Sequence, residues 1–411
     1  MQATEYSARN KNIQPPRKSY RASSLCDDAL KTGVTMNKLF NSDISTERIE
    51  QWRAEGKKAL GIVCCHVPFE ILHAADTLPV RLRATACKDC SEGEACMGNQ
   101  SCGFTKAILQ YLIVGKYDLD GLVTSNGCGT APGIIANWKT ITERNKRDQF
   151  LYEIEAPRMV NSASYKYFHS ELDYLRENLE KLTGVELTNE RLKKSVDTYN
   201  EARRLVKQIY DLHKAEFPVI SGTETLRITL AATEMPIEEY IEFLKGVLAD
   251  IPNRKPITNF KARIMLVGSA IDDPAYVEAI EDLGLLVVAD LNSFGIRFLR
   301  DEIPYNEADV LGSIAEYYLT RSSCPRMMDG SDDTHEYIFA AIEEYDVDGV
   351  VIVTMKNCGK WETETFVLED LFKNADIPHL SMERQVQMSQ QGQLAIRVEA
   401  FREMLESRKD S

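Results

Sequence analysis

From Gly61 onward, short apolar runs alternate with stretches whose apolar residues recur at helical spacing: GIVCC, PFEILHAADT, PVRL, TKAILQYLIVG, DGLVTSN and YEIEAP follow one another. A run of four to eight apolar residues suits a strand buried on both faces, and an intervening helix provides the crossover that parallel neighbours need. The rhythm stops between residues 165 and 250, where the chain is charged, nearly free of Gly and Pro, and periodic at helical spacing. After the Pro-containing joint IPNRKPITN it returns as RIMLVGSA, PAYVEAIEDLG, LLVVAD, HEYIFAAIEEY, DGVVIVTM, ETFVLEDLFKNA and IPHLSME, and a helix LAIRVEAFREMLESR closes the chain. Two parallel-sheet α/β domains with an additional helical module are expected. The expected boundaries are an arm and helix over residues 1–57, a first α/β domain over 58–160, the helical module over 161–258, a second α/β domain over 259–388 and a C-terminal helix over 389–411.

The two α/β regions look like copies of one plan. Tyr117-Asp118-Leu119-Asp120-Gly121-Leu122-Val123 matches Tyr345-Asp346-Val347-Asp348-Gly349-Val350-Val351, and each strand runs into a cysteine, Cys128 after Ser125-Asn126-Gly127 and Cys358 after Met355-Lys356-Asn357. Upstream of each matching helix stands another, Cys102 and Cys324. Ligands of open parallel sheets bind beyond the carboxyl ends of the strands. Facing domains would therefore point Cys128 and Cys358 into one cleft, with Cys102 at the start of a helix able to join them. Three thiolates suit an iron–sulfur cluster with one iron left open to substrate, and nearby helix N-termini would favour its negative charge.

Composition narrows the alternatives. The 411 residues carry 49 Lys+Arg against 63 Asp+Glu, a formal net charge of −14 that opposes attraction to nucleic acid or anionic lipid. There is no apolar leader and no run of membrane-spanning length, so a cytoplasmic, reducing location is expected. There the ten cysteines are better suited to metal ligation, catalysis or packing than to disulfides. Cys87-x2-Cys90 with Cys96 and Cys102 leaves zinc open, although the spacing lacks a second C-x2-C. Cys64 and Cys65 end an apolar strand and could be packing residues, while Cys26 lies in the weakly patterned arm. His66 and His73 flank the cysteine pair, where a surface or satisfied core histidine is the simpler role. P-loop, G-x-S-x-G and H-E-x-x-H motifs are all absent.

Taken together, Gly61-x2-Cys64-x3-Pro68-x-Glu70, Ala74-Ala75 leading to Pro79-Val80-Arg81-Leu82, Cys102 before a helix, Asp120-Gly121 leading to Cys128, Cys324-Pro325, Asp348-Gly349 leading to Asn357-Cys358, and the tail MERQVQMSQQGQLAIRVEAFREML resemble the 2-hydroxyacyl-CoA dehydratase and benzoyl-CoA reductase family over about residues 58–405. The resemblance implies two flavodoxin- or Rossmann-like domains holding a [4Fe-4S] cluster between them on Cys102, Cys128 and Cys358. It implies a related sister subunit, or a second copy, as partner and an acyl-CoA substrate. It also implies a separate ATP-hydrolysing iron–sulfur activator that supplies single electrons, in keeping with the missing P-loop. The implied dehydratase reaction reduces a thioester to a ketyl radical anion that expels the neighbouring hydroxyl. The implied cluster would make the protein oxygen-sensitive; Glu70 is a candidate proton acceptor and Arg81 a candidate anion contact, each equally suited to a structural role, Glu70 because a carboxylate on the first turn of a helix is favoured by the dipole. Gly129 stands where the family more often has aspartate, and the insertion CKDCSEGEAC is not a dehydratase feature. A branch that reduces small molecules on a double-cubane [8Fe-9S] cluster is the alternative, with Cys64, Cys324 and one of Cys87, Cys90 or Cys96 as extra ligands.

Overall fold

The computed structural model describes residues 44, 46–321, 324–328, 330–387 and 391–409. The expected N-terminal arm and Cys26 lie outside them. The first α/β domain runs α1 (Glu47–Ala54), β1 (Lys58–Ile62), α2 (Phe69–Ala74), β2 (Thr77–Arg81), α3 (Ser91–Cys96), α4 (Gly103–Ile113), β3 (Gly121–Ser125), α5 (Ala131–Arg144) and β4 (Phe150–Ile154). Four helices follow, α6 (Ser162–Thr183), α7 (Asn189–Asp211), α8 (Gly222–Ala231) and α9 (Ile237–Asp250). The second α/β domain comprises β5 (Ala262–Gly268), α10 (Pro274–Glu281), β6 (Leu285–Leu291), α11 (Val310–Thr320), α12 (Ser331–Glu344), β7 (Gly349–Met355), α13 (Gly359–Asn374) and β8 (His379–Arg384), and α14 (Gln391–Lys409) ends the described chain. Periodicity alone had left α3, α5 and α11 unmarked.

Each sheet has four parallel strands, in the orders β2-β1-β3-β4 and β6-β5-β7-β8, so the two are topological copies of the Rossmann-like expectation. Strand residues alternate between two apolar layers, as the pleat requires. Met265 and Val267 of β5 face one layer with Leu60, Ile62 and the α6 side chains Phe168 and Leu172. Ile264 and Leu266 face the other, with Val80, Leu122 and Ile108 of α4. Both layers mix residues from the two sheets, so the domains share a core.

The repeated Asp-Gly has a concrete purpose. Asp120 accepts the Ala59 backbone N–H at 2.9 Å through a carboxylate oxygen and donates its own N–H to the Ala59 carbonyl at 2.9 Å. Asp348 does the same with Arg263, at 2.7 and 2.8 Å. In both copies the aspartate fixes where the central strand pair begins. A side chain at Gly121 would strike the Phe150 carbonyl, and one at Gly349 would approach Phe401 at 2.8 Å, so glycine lets neighbouring elements close in.

The helical module has its own stop signals. Asn161 and Thr188 cap α6 and α7 through their side chains, Gly184 ends α6 at φ 73°, and Ser221 with Glu224 forms a capping box on α8.

Candidate functional site

Cysteine and arginine side chains gather where the carboxyl ends of the two sheets meet. Cys102 is the N-cap of α4 and Cys358 the N-cap of α13, while Cys128 precedes α5 and its sulfur accepts the Ala131 N–H at 3.2 Å. Backbone N–H groups of Phe104 and Thr105 reach the Cys102 sulfur, and that of Trp361 reaches Cys358. Each of the three thiols is thus met by amides of a helix N-terminus, a setting that favours negative sulfur.

Contacts across the domains tie the thiol turns together. Asn357, held at φ 64°, donates its side-chain amide to the carbonyls of Asn99 at 3.1 Å and Ser101 at 3.5 Å, the residues leading into Cys102. Burial pushes the Cys102 thiol up to about 11, with the Cys128 charge adding to it, and pushes Cys358 up to about 12 with added repulsion from Cys102, Cys128 and Cys324. The expected three thiols therefore share one electrostatic neighbourhood. Among the described residues, no three His, Cys, Asp or Glu side chains stand close enough together to hold a metal ion as they are.

A second thiol group adjoins the first. A Cβ on Gly127 would lie 2.6 Å from the Cys64 sulfur, so Cys64 packs against the turn that carries Cys128. Interaction with Cys65, together with burial, raises the Cys64 thiol well above the usual range. The same interaction, joined by His66, Arg297 and Arg321 against the cost of burial, lowers Cys65 well below it. Cys324 is raised by burial and by Cys65, while Arg297 and Arg326 pull it down.

The charge around these thiols is positive. Arg81, Arg297 and Arg326 are each 2% exposed, and Arg321 8%. Burial pushes Arg81 down to about 10, although Cys65 and Cys64 support its charge; its guanidinium lies 4.4 Å over Phe294 and 4.9 Å over Phe298. Nε and Nη1 of Arg81, Nε of Arg297, Nε of Arg326 and Nε2 of His66 are buried without a hydrogen-bond partner. Arg321 donates to the Cys65 carbonyl at 2.7 Å and Arg326 to that of Ala156 at 2.7 Å. Buried guanidinium groups with unspent donors are expensive unless an anion faces them, and an anionic cluster with sulfide acceptors fits that chemistry. Sequence reasoning found Arg81 but missed Arg297, Arg321 and Arg326. The run Arg321-Ser322-Ser323-Cys324-Pro325-Arg326, a cysteine bracketed by two arginines, was the available signal.

Of the two roles expected of Glu70, its surroundings fit the structural one. It is fully buried; one carboxylate oxygen pairs with Arg203 at 2.5 Å and the other accepts from Tyr318 at 2.8 Å. Both oxygens are committed to a link between α2, α7 and α11. The helical period of PFEILHAADT put Glu70 on a first turn but could not show Arg203, 133 residues away. His73 also has a structural setting, between Ser195 at 2.8 Å and Glu238 at 3.0 Å.

A sequence profile described as "2-hydroxyglutaryl-CoA dehydratase, D-component" matches residues 64–405, most of the chain. The chain belongs to this family. Among relatives of this dehydratase-family chain is a benzoyl-CoA reductase subunit of Thauera aromatica, 23% identical over 82% of this chain and 89% of the relative. The (R)-phenyllactyl-CoA dehydratase beta subunit of Clostridium sporogenes is 24% identical over 85% and 92%. For the beta subunit of the (R)-2-hydroxyglutaryl-CoA dehydratase of Acidaminococcus fermentans the values are 22%, 87% and 95%. Among the described residues, no helix is long and apolar enough to cross a membrane.

Proposed function

We propose that the chain is the iron–sulfur subunit of a radical 2-hydroxyacyl-CoA dehydratase, holding a [4Fe-4S] cluster on Cys102, Cys128 and Cys358. The observation that carries this is the set of three thiols from two domains, each at a helix N-terminus, with the turns of Cys102 and Cys358 linked through Asn357. When bound, the cluster supplies low-potential one-electron chemistry at an iron left open to the thioester or its hydroxyl. The chain's own contribution is to hold the thiolates with backbone N–H groups, to set beside them the buried arginines that face Cys65 and Cys324, and to keep Arg81 as an anion contact. Glu70 acts as a structural partner of Arg203 rather than as the proton acceptor. The beta-subunit names of the relatives support a related sister subunit. The absence of a P-loop supports a separate ATP-hydrolysing activator as electron source, and a cytoplasmic location completes the proposal.

A second proposal is favoured by one observation. Cys324 acts on Cys358 and Cys65 acts on Cys324, so the sulfur groups form a continuous series rather than an isolated three. A homodimeric reductase with a double-cubane [8Fe-9S] cluster, using Cys64 and Cys324 as added ligands, would occupy that series. Iron and acid-labile sulfide analysis after anaerobic purification separates the two: about four iron atoms per chain support the first proposal and about eight the second. A colourless protein with one zinc refutes both. Turnover of 2-hydroxyacyl-CoA thioesters with a reduced activator then tests the dehydratase; reduction of an aromatic acyl-CoA instead indicates the benzoyl-CoA reductase type.

A further inference from the structure

The insertion CKDCSEGEAC, residues 87–96, lies outside the thiol series just described. The groups acting most strongly on Cys87 are Cys90, Tyr111, Asp89 and Asp272, and none of Cys64, Cys102, Cys128, Cys324 and Cys358 is among them. Its two buried sulfurs, Cys87 and Cys90, are 3.4 Å apart, at van der Waals contact, in a four-residue loop where Ala86 takes φ 57°. A disulfide requires about 2.05 Å between sulfurs, so closing the pair needs only a small local movement. Cys96, at the far end of α3, is exposed, and no third ligand joins the pair among the described residues, which disfavours a metal clip.

We propose that Cys87 and Cys90 are a redox-active dithiol that exchanges with a small disulfide co-reactant, a chemistry separate from a cluster on Cys102, Cys128 and Cys358 and exclusive of any larger cluster that takes Cys87 or Cys90 as a ligand. Cys87 is the attacking sulfur: its contact with the Cys90 sulfur lowers its thiol against the cost of burial, and Tyr111 adds to the lowering. In the first step the Cys87 thiolate bonds to one sulfur of RS–SR and expels RS⁻. The Cys90 sulfur then bonds to the Cys87 sulfur, expelling the second RS⁻, and the two thiol protons end on the two RSH products. Two electrons have passed from the pair to the co-reactant.

The loop is positioned to transmit the change. The Gln387 side-chain amide donates to the Cys90 sulfur at 3.3 Å, and its neighbour Val386 would lie 3.5 Å from a Cβ on Gly103, the residue after Cys102. On the other side, Gln110 of α4 accepts the N–H groups of Glu92 at 2.8 Å and Gly93 at 3.0 Å. Oxidation removes a thiol from the contact with Gln387 and tightens the loop clamped on α4, the helix that Cys102 caps.

The test equilibrates the full-length protein anaerobically in buffers of reduced and oxidised dithiothreitol at graded ratios, followed by acid quenching, alkylation, trypsin digestion and mass spectrometry. Trypsin cuts after Lys88, between the two cysteines, so the oxidised pair is read directly as one cross-linked species from two peptides. The expected result is a single two-electron transition that joins the Cys87 and Cys90 peptides, is abolished by Cys90→Ser and is retained in Cys96→Ser. Separate alkylation of both cysteines at every ratio would overturn the proposal. So would a cross-link that survives Cys90→Ser, or a zinc ion on the pair whose removal by chelator alone exposes the thiols. Retained circular dichroism in Cys90→Ser shows that loss of the cross-link is not loss of the fold.

Discussion

The two α/β domains share a strand order and an aspartate device but differ at their carboxyl ends. After β1 the first domain turns through Cys64-Cys65-His66; after β5 the second turns through Ser269-Ala270-Ile271. The first domain brings Cys64, Cys65, Cys102 and Cys128 to the site, whereas the second brings Cys324 and Cys358 together with Arg297, Arg321 and Arg326. Sulfur is therefore concentrated on one copy and cationic charge on the other. A duplicated frame can keep its sheet-starting hydrogen bonds unchanged while its loops diverge, because those bonds sit at the opposite end of the strands from the chemistry.

The anchoring of the copies to the helical module differs too. The first domain is pinned by the buried Glu70–Arg203 pair. In the second, the Arg263 guanidinium donates to the carbonyls of His213 at 2.6 Å, Tyr345 at 2.7 Å and Ala215 at 3.0 Å.

The largest expected effect probes the division of sulfur. Cys128→Ser and Cys358→Ser, one per domain, should each abolish the bound iron and its absorption; iron content equal to wild type in either variant removes that residue from the ligand set. Next comes the anchoring contrast. Glu70→Gln should cost roughly 3–5 kcal/mol by leaving Arg203 buried without its counter-charge, and adding Arg203→Met should recover much of the loss. Urea unfolding measures both, and iron per folded chain should stay at the wild-type value; a stable Glu70→Gln protein that binds iron but is inactive would restore Glu70 to the chemistry. Smaller again is the shared aspartate device: Asp120→Ala and Asp348→Ala should each cost about 1–3 kcal/mol, since both leave a strand N–H unpaired. A large disparity between the two would show that the copies are not energetically equivalent.

An effect of similar size to the aspartate changes concerns pH. Burial, with Arg263 nearby, pushes His213 down to about 3 from an ordinary value of 6.5. Between those values the unfolded chain binds a proton that the folded chain does not, so stability must fall as pH falls, by about 1.4 kcal/mol per pH unit from this group. The effect is complete only below about pH 3. Comparing denaturation of wild type and His213→Asn at pH 7 and pH 5 isolates it; identical pH slopes would show that His213 titrates normally.

Much of this architecture was legible in the sequence, because a strand buried on both faces needs an uninterrupted apolar run and its crossover helix needs a different period. The repeat around Asp120-Gly121 and Asp348-Gly349 also exposed the positions of Cys128 and Cys358. Less legible were partners brought together only by folding. Arg203 sits among charged residues of α7 and looks like a solvated face until it is found at 1% side-chain exposure against Glu70. Arg297 stands between apolar neighbours in Phe294–Leu299, and nothing local marks it as a neighbour of Cys65 and Cys324. The helix α3 was missed because SEGEAC is short and polar; it is held by Gln110 of α4 rather than by an apolar stripe.

The thiols of the site begin at Cys64 and end at Cys358, which has a bearing on biosynthesis. At about 5–20 residues per second, some 10–50 s separate the emergence of Cys128 from that of Cys358. For most of that interval the sulfur-rich half exists without Arg297, Arg321 and Arg326. A nascent chain of this protein is thus a reactive-thiol intermediate by construction, and its thiol site comes into existence only as the last third of the polypeptide folds back onto the first.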